Sequence, residues 1–274
     1  MSRVALIQTR TPATQAEALA QLEPMVREAA AGGARLITTP EGSNLLQRDR
    51  PKLQAVLAPP EEDAVVRRMQ ELARELDVEI LIGSALVRRP DGQAANRSIL
   101  IRTDGEIAAT YDKIHMFDVD LPTGEVARES QLYTPGGEAV VVDAEVGRLG
   151  LTICYDVRFP GLFRALSRAG AEIITVPAAF TRPTGEAHWE ILLRARAIEC
   201  GCYVLAPAQG GFHADGRGTY GHSLVVGPWG EVVAKLDHDE PGVLFAELDL
   251  ASVAKARSAI PALKNERAFS GPIA

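Results

Sequence analysis

Short apolar runs alternate along the chain with segments whose apolar residues recur every three or four positions. The runs at residues 4–7, 36–39 and 80–82 are too short for helices and predict buried strands. The segments that follow Thr14, which opens a capping box, and Pro60 each place apolar residues on one face of a helix. This alternation of short strands and amphipathic helices predicts an α/β protein.

The second half of the chain repeats the order of the first. Residues 34–40 resemble residues 171–177, and residues 98–107, which turn at Asp104-Gly105 as a hairpin does, resemble residues 223–232. Chance similarity between α/β strands is the alternative, but recurrence in the same order favours an internal duplication. Two similar sheets that face each other with helices outside form a four-layer α-β-β-α sandwich of two pseudo-repeated halves, which is the predicted fold class.

No linker-like stretch separates the halves of this 274-residue chain. We therefore expect a single domain over residues 1–274, with a C-terminal extension from about residue 259. A doubly wound dinucleotide-binding sheet would need a glycine fingerprint after its first strand, and residues 8–12 lack one. No run approaches the roughly 20 apolar residues of a membrane span, and the first apolar run is too short for a signal peptide. We expect a cytoplasmic protein.

Composition narrows the classes of partner. A net charge of −7 and an aromatic content of only 5% argue against nucleic acid and anionic membranes as partners. Three cysteines make no disulfide framework, and Cys200 and Cys202 are interpreted as small buried residues between a helix and a strand. The five histidines show no metal-ligand spacing. We expect neither a metal nor another cofactor.

Three polar residues follow apolar strands, where α/β proteins place their active sites. They are Glu41, Lys113 and Cys154, and the structural alternatives are a surface carboxylate, a solvated charge and a packed thiol. Cys154 lies between a strand and a helix that begins near Pro160. Free backbone N–H groups at such a turn lower the pKa of a thiol and bind a developing oxyanion.

Together these residue types suggest acyl transfer. A thiolate attacks a carbonyl, a carboxylate takes the thiol proton and later activates water, and an ammonium group stabilises the tetrahedral anion. A Cys-His dyad with His188 or His222 as the base is the competing arrangement, and sequence spacing does not choose between the two.

Four segments carry a resemblance to the nitrilase superfamily of carbon–nitrogen hydrolases over essentially the whole chain. They are TPE at residues 39–41, YDKIH at residues 111–115, GLTICYD at residues 150–156, and residues 221–230. The family's α-β-β-α sandwich agrees with the predicted fold.

The resemblance implies a role for each candidate residue. Glu41 would be the general base, Lys113 the oxyanion stabiliser and Cys154 the nucleophile, and the Tyr155 backbone N–H would complete the oxyanion hole. Families of this type often carry a second active-site glutamate, and Glu129 stands in the matching place. It would hold Lys113 charged, whereas the structural alternative is an exposed loop carboxylate.

Residues 113–120, 128–130 and 187–199 resemble the deaminated glutathione amidases, which release 2-oxoglutarate and cysteinylglycine. The related ω-amidases, which act on 2-oxoglutaramate, share much of this pattern. An N-carbamoyl amino acid hydrolase is a further enzymatic alternative, and nitrile hydrolysis fits the pattern less well. A non-catalytic binding or scaffold member is the alternative from another class, and it would be favoured by a missing Glu, Lys or Cys.

An anionic amide substrate needs local cations in a chain of net charge −7. Arg158 and Arg182 are candidates for binding its carboxylates, because the guanidinium fork matches a carboxylate, and His188 is a candidate for the pocket wall. Ion pairing for the arginines and helix capping for His188 are the structural alternatives. By resemblance, we expect a homodimer or larger homo-oligomer.

Overall fold

The computed structural model describes residues 1–122 and 124–271. The strands are β1 (Ser2–Gln8), β2 (Leu36–Thr38), β3 (Glu79–Arg88), β4 (Ala94–Ile101), β5 (Ile107–Asp112), β6 (Asp118–Asp120), β7 (Val126–Arg128), β8 (Val140–Ala144), β9 (Gly147–Leu151), β10 (Ile173–Thr175), β11 (Tyr203–Ala206), β12 (Gly210–Phe212), β13 (Gly218–Tyr220), β14 (Leu224–Val226), β15 (Val232–Lys235) and β16 (Gly242–Leu248). The α-helices are α1 (Gln15–Ala31), α2 (Arg50–Val56), α3 (Ala64–Leu76), α4 (Pro160–Arg168), α5 (Arg182–Cys200), α6 (Ala251–Ala259) and α7 (Ala262–Asn265).

Two six-stranded sheets form the centre of the molecule. Their strand orders are β16-β1-β2-β3-β4-β5 and β8-β9-β10-β11-β14-β15. In each sheet the second, third and fourth strands run parallel, and each of the other three strands pairs antiparallel with its neighbours. The sheets therefore correspond strand by strand, which confirms the predicted fold of two pseudo-repeated halves.

The layers explain why the first strand is an unbroken apolar run. Val4 and Leu6 pack in a cluster that includes side chains of the second sheet. Ala5 and Ile7, which point the other way, pack with the apolar faces of α1 and α3. Both faces of the strand are thus buried, as is usual where parallel strands lie beneath helices. Helices α4 and α5 pack on the second sheet through Phe163 and Trp189.

Local signals located several elements correctly and missed others. Thr14 caps α1, accepting a hydrogen bond from the backbone N–H of Glu17, and α4 begins at Pro160. Helix α2 was not predicted, although Asp49 caps it through a hydrogen bond from the Lys52 N–H. Helix α5 begins at Arg182, six residues before His188, so His188 does not cap it.

The expected C-terminal extension follows α6, which ends at Ala259. Arg164 of α4 forms an ion pair of 2.7 Å with Glu266, so this part of the extension packs on its own subunit. Residues 272–274, the end of the predicted single domain, lie outside the described residues. In the part of the chain that the structure describes, no helix is long and apolar enough to cross a membrane.

Gly83 allows the two halves to approach each other beside Glu41. A Cβ atom at this position would collide with the carbonyl oxygen of Thr39 and with Pro177 of the second half. We expect Gly83→Ala to lower the free energy of unfolding by about 1–3 kcal/mol or more, because rigid backbone must move. Urea unfolding measures this change.

Gly161 is the matched control for Gly83→Ala. It lies in the first turn of α4, and a Cβ atom there would meet no other atom within 4 Å. Gly161→Ala should leave stability unchanged or raise it by up to about 1 kcal/mol. Equal stability of the two variants would contradict the close approach at Gly83.

Candidate active site

The candidate catalytic residues lie around a cavity of about 480 Å³. Glu41, Lys113, Glu129, Cys154 and Tyr155 all line it. Glu41 follows β2 of the first sheet, and Cys154 follows β9 of the second sheet. The cavity is therefore lined by groups from both halves of the chain. The sequence placed these residues at strand ends, and the fold brings those ends together.

Glu41 is almost fully buried and uses both carboxylate oxygens. Its Oε1 accepts hydrogen bonds from Lys113 Nζ at 2.9 Å and from Asn96 Nδ2 at 2.8 Å. Its Oε2 accepts a bond of 2.8 Å from the Ala179 backbone N–H. Burial, the largest single influence, raises the pKa of Glu41, but the Lys113 charge together with hydrogen bonds from Lys113, Cys154 and the Ala179 N–H outweighs it, and the pKa is lowered. The carboxylate is therefore ionised at neutral pH.

Lys113 lies between two carboxylates. Its Nζ also donates to Glu129 Oε1 at 2.9 Å and Oε2 at 2.8 Å, so that its three N–H donors face three carboxylate oxygens. Burial disfavours the ammonium form, yet Glu129 and then Glu41 outweigh burial and raise the pKa of Lys113 well above its usual value. Lys113 is thus a fixed cation in the resting site.

Glu129 occupies the position expected of the second glutamate. It begins a single turn of 3-10 helix, Glu129–Gln131, directly after β7. Its Oε2 accepts a 2.7 Å hydrogen bond from the Phe117 N–H, and Asn96 Nδ2 lies 3.2 Å from its Oε1. Asn96 therefore bridges Glu41 and Glu129. Sequence reasoning missed it, because a lone asparagine within a strand carries no local motif.

Cys154 starts a 3-10 turn, Cys154–Arg158, with a left-handed φ of 49°. This conformation is unfavourable for a residue with a Cβ atom, and it is held by a 2.9 Å hydrogen bond from the Cys154 N–H to the Pro177 carbonyl. Tyr155 is the second residue of the turn, so its N–H has no partner within the turn and is available to an oxyanion.

The pKa of Cys154 is raised, whereas the sequence predicted a lowered pKa. Burial, followed by the negative charge of Glu41, raises the pKa of the thiol well above its usual value. The expected lowering by free backbone N–H groups is wrong, because it considered only the local turn. These two directions describe a resting pair of a protonated thiol beside an ionised carboxylate.

Asp156 connects the segment that carries Lys113 to the turn that carries Cys154. Its fully buried carboxylate accepts hydrogen bonds from the Tyr111 hydroxyl at 2.7 Å and the Ile153 N–H at 2.8 Å. The His115 N–H donates to Asp156 Oδ1 at 3.1 Å, and His115 Nδ1 lies 2.7 Å from the same oxygen. No local pattern indicates this role of Asp156, because Tyr111 and His115 are distant from it in sequence.

The three side chains expected to bind substrate do not line the cavity. Arg158 packs over the rings of Tyr155 and Phe180, which themselves form cavity wall, and its Nη2 lies 3.3 Å from His188 Nδ1. Arg182 pairs instead with Asp239 at 2.6 Å. Among the residues described, the cavity-lining arginines are Arg48, Arg50, Arg128 and Arg217.

A histidine base is not supported by this arrangement. Neither His188 nor His222 lines the cavity, and His222 Nδ1 lies 2.6 Å from the Tyr220 carbonyl. Glu41 is the group beside the thiol. No cluster of three or more potential metal ligands occurs within residues 1–122 and 124–271.

Comparisons with known proteins agree with this geometry. The sequence pattern described as carbon-nitrogen hydrolase matches residues 3–258. The chain is 41% identical to a deaminated glutathione amidase of Yersinia enterocolitica, over 98% of this chain and 94% of that protein. It is 39% identical to a deaminated glutathione amidase of Mus musculus, over 96% of this chain and 83% of that protein.

Solved structures show the same fold. The C. elegans NitFhit protein superposes with a TM-score of 0.90 at 34% identity, over 97% of this chain and 65% of that longer chain. A glutamate-to-glutamine mutant of an amidase from Nesterenkonia sp. AN1 superposes with a TM-score of 0.79 at 28% identity, over 97% of this chain and 94% of that one. That mutant shows covalent addition of the acetamide moiety of fluoroacetamide at its active site cysteine.

Asp156→Asn tests the link between the two catalytic segments. The amide replaces an acceptor oxygen with a donor, so at least one buried N–H or O–H loses its partner. We expect a loss of about 1–3 kcal/mol in the free energy of unfolding and a lower kcat. The control is Asp143→Asn, since the Asp143 side chain is 73% exposed and pairs only at the surface. Equal stability of the two variants would refute the link.

His213 predicts a pH dependence of stability. Burial lowers its pKa to about 4, and its Nε2 lies 2.7 Å from Thr219 Oγ1 of the cavity wall. The unfolded chain binds this proton below about pH 6.5, whereas the folded chain does so only near pH 4. The contribution of neutral His213 to the free energy of unfolding is thus fully present above pH 6.5. It falls by up to about 3 kcal/mol towards pH 4.

Urea unfolding of wild type and His213→Gln between pH 7 and pH 4 measures this contribution. The variant should lose less stability than wild type over that range, and His238→Gln, at an exposed position, should follow wild type. Parallel curves for wild type and His213→Gln would contradict a neutral buried His213.

Proposed function

The chain belongs to the carbon–nitrogen hydrolase family, within the nitrilase superfamily, and is an amidase; from this premise we propose that it hydrolyses deaminated glutathione through a thioester on Cys154. The products would be 2-oxoglutarate and cysteinylglycine. The observation that carries the mechanism is that Cys154, Glu41 and Lys113 line one cavity, where Lys113 Nζ donates a 2.9 Å hydrogen bond to Glu41 Oε1. We choose deaminated glutathione as the substrate because the relatives are named deaminated glutathione amidases.

The first half-reaction transfers the acyl group to sulfur. Glu41 removes the thiol proton as Cys154 Sγ attacks the amide carbonyl carbon, and the carbonyl oxygen becomes an oxyanion. Lys113 Nζ and the Tyr155 N–H stabilise that charge. Glu41 then delivers the proton to the leaving nitrogen, the C–N bond breaks, and the amine departs with an acyl thioester left behind.

The second half-reaction restores the enzyme. Glu41 takes a proton from water, the resulting hydroxide attacks the thioester carbonyl, and the same two donors stabilise the second oxyanion. Collapse breaks the C–S bond and the thiolate recovers a proton from Glu41. The net change is amide plus water to carboxylic acid plus amine. Nucleophile, acid–base group and oxyanion donors are all supplied by the chain.

Glu129 serves this chemistry through Lys113. A lone cation beside Glu41 would be drawn into a single ion pair, whereas the two bonds from Lys113 to Glu129 hold its Nζ from the other side. We therefore place Glu129 as a positioning residue that keeps Lys113 charged and oriented.

Cys154→Ala should lower kcat by at least about a thousandfold, because the covalent route is lost, and should leave the melting temperature near the wild-type value. Cys200→Ala, at a buried thiol outside the cavity, is the matched control and should retain turnover. Mass spectrometry of acid-quenched wild type should find the 2-oxoglutaryl adduct on Cys154. Turnover that survives Cys154→Ala would exclude the thioester.

The substrate assignment has its own measurement. We expect kcat/KM for deaminated glutathione to exceed that for 2-oxoglutaramate and for an N-carbamoyl amino acid. A higher value for 2-oxoglutaramate would identify an ω-amidase, and a higher value for the carbamoyl compound a carbamoyl hydrolase. Either result would overturn the substrate while leaving the thioester mechanism intact.

A further inference from the structure

The residues that line the cavity outside the catalytic groups, here called the rim, are mainly cationic, whereas the whole chain is anionic. The chain as a whole carries a net charge of −7, yet four arginines and one glutamate line the cavity outside the catalytic groups. They are Arg48, Arg50, Arg128, Arg217 and Glu125. Because like charges near a cleft concentrate ligands of the opposite sign, this rim favours an anionic ligand.

The arginines differ in how much of the guanidinium remains available. Arg128 is occupied, since its Nη1 donates to the Val119 and Ala127 carbonyls and its Nη2 to both oxygens of Asp120. The Arg48 side chain is 49% exposed, which weakens any ion pair that it makes. The Arg217 side chain is only 21% exposed.

Asp215 holds Arg217 by one edge. Its Oδ2 accepts from Arg217 Nε at 2.9 Å and lies 2.7 Å from Nη2, while its Oδ1 accepts from the Arg217 backbone N–H at 3.1 Å. The Asp215 side chain is 5% exposed. Among the described residues no partner holds Nη1, so the outer edge of the guanidinium keeps donors for a ligand.

The hairpin that carries Arg217 is tied to the catalytic wall. Arg217 directly precedes β13, whose Thr219 pairs with Thr181. The Tyr220 N–H donates to the Phe180 carbonyl at 2.9 Å, and Ala179, the preceding residue, donates its N–H to Glu41. A short path of backbone hydrogen bonds therefore fixes the Arg217 strand relative to the general base.

We propose that Arg217, oriented by Asp215, binds a carboxylate of the substrate remote from the scissile carbonyl and so selects anionic amides. A pre-oriented guanidinium edge matches a carboxylate with two parallel N–H donors, and it loses little side-chain freedom on binding. Arg217 would thereby be a specificity residue. The inference rests on the proposed function in that Cys154 is taken as the reacting group.

The experiment compares charged and neutral amides. For Arg217→Met we expect kcat/KM to fall about 10- to 100-fold with deaminated glutathione, as for a lost hydrogen bond to a charged group, and to stay near wild type with butyramide. Arg217→Lys, which keeps the charge and the pairing with Asp215, should fall less. Arg148→Met is the matched control, because Arg148 pairs with Asp143 outside the cavity and should change neither rate.

A second substrate locates the carboxylate. 2-Oxoglutaramate has a carboxylate only on its acyl part, so an equal loss with it places the contact on the acyl side, whereas an unchanged rate places it on the leaving group. Equal losses with butyramide and deaminated glutathione would make Arg217 merely structural. Unchanged rates with all three amides would also overturn the proposal.

A binding measurement separates this inference from the proposed function. Titration calorimetry of glutarate, which mimics the acyl part, and of cysteinylglycine, the leaving group, into Cys154→Ala and into Cys154→Ala/Arg217→Met needs no turnover. We expect the second substitution to raise the Kd of one of the two ligands about tenfold or more. If wild type leaves deaminated glutathione intact, the substrate assignment fails, and these titrations still decide on Arg217: unchanged Kd values for both ligands would overturn its role.

Discussion

The ammonium group of Lys113 between Glu41 and Glu129 is the interaction on which the site depends. An unpaired charge at this depth would be strongly disfavoured, so each of the three groups requires the others. The pairing keeps Glu41 ionised and Lys113 protonated, and these are the states that the proposed base and the proposed oxyanion stabiliser require. It also joins segments that follow three different strands, because Glu41 comes after β2, Lys113 after β5 and Glu129 after β7.

The second sheet supplies the nucleophile to this arrangement. Cys154 follows β9 in a left-handed conformation, which the Pro177 carbonyl and the Asp156 carboxylate hold in place. Asp156 also receives the hydroxyl of Tyr111 and the backbone of His115, which flank Lys113. The segments that carry the Cys154 thiol and the Lys113 ammonium group are therefore positioned by one buried carboxylate. Strain at the turn is tolerated because partners from both halves determine the geometry.

Much of this was accessible from the sequence, because strand ends are local features. The apolar runs before Glu41 and Cys154, the capping residue Thr14 and Pro160 were visible as patterns, and the repeated order indicated the two sheets. What escaped prediction depends on residues far apart in the chain. Asn96 bridges Glu41 and Glu129, which are distant in sequence, and the proposed role of Arg217 depends on a hairpin that packs beside Phe180. The pKa direction of Cys154 was wrong for the same reason, since burial and Glu41 outweigh the local turn.

We expect the resting site to hold its proton on Cys154 and not on Glu41. Infrared difference spectra between wild type and Cys154→Ala at neutral pH test it directly, because a thiol has an S–H stretching band that a thiolate lacks. The wild-type protein should show that band, without the ultraviolet absorbance of a thiolate. A missing S–H band together with thiolate absorbance would contradict it and would place the proton on Glu41 before any substrate binds.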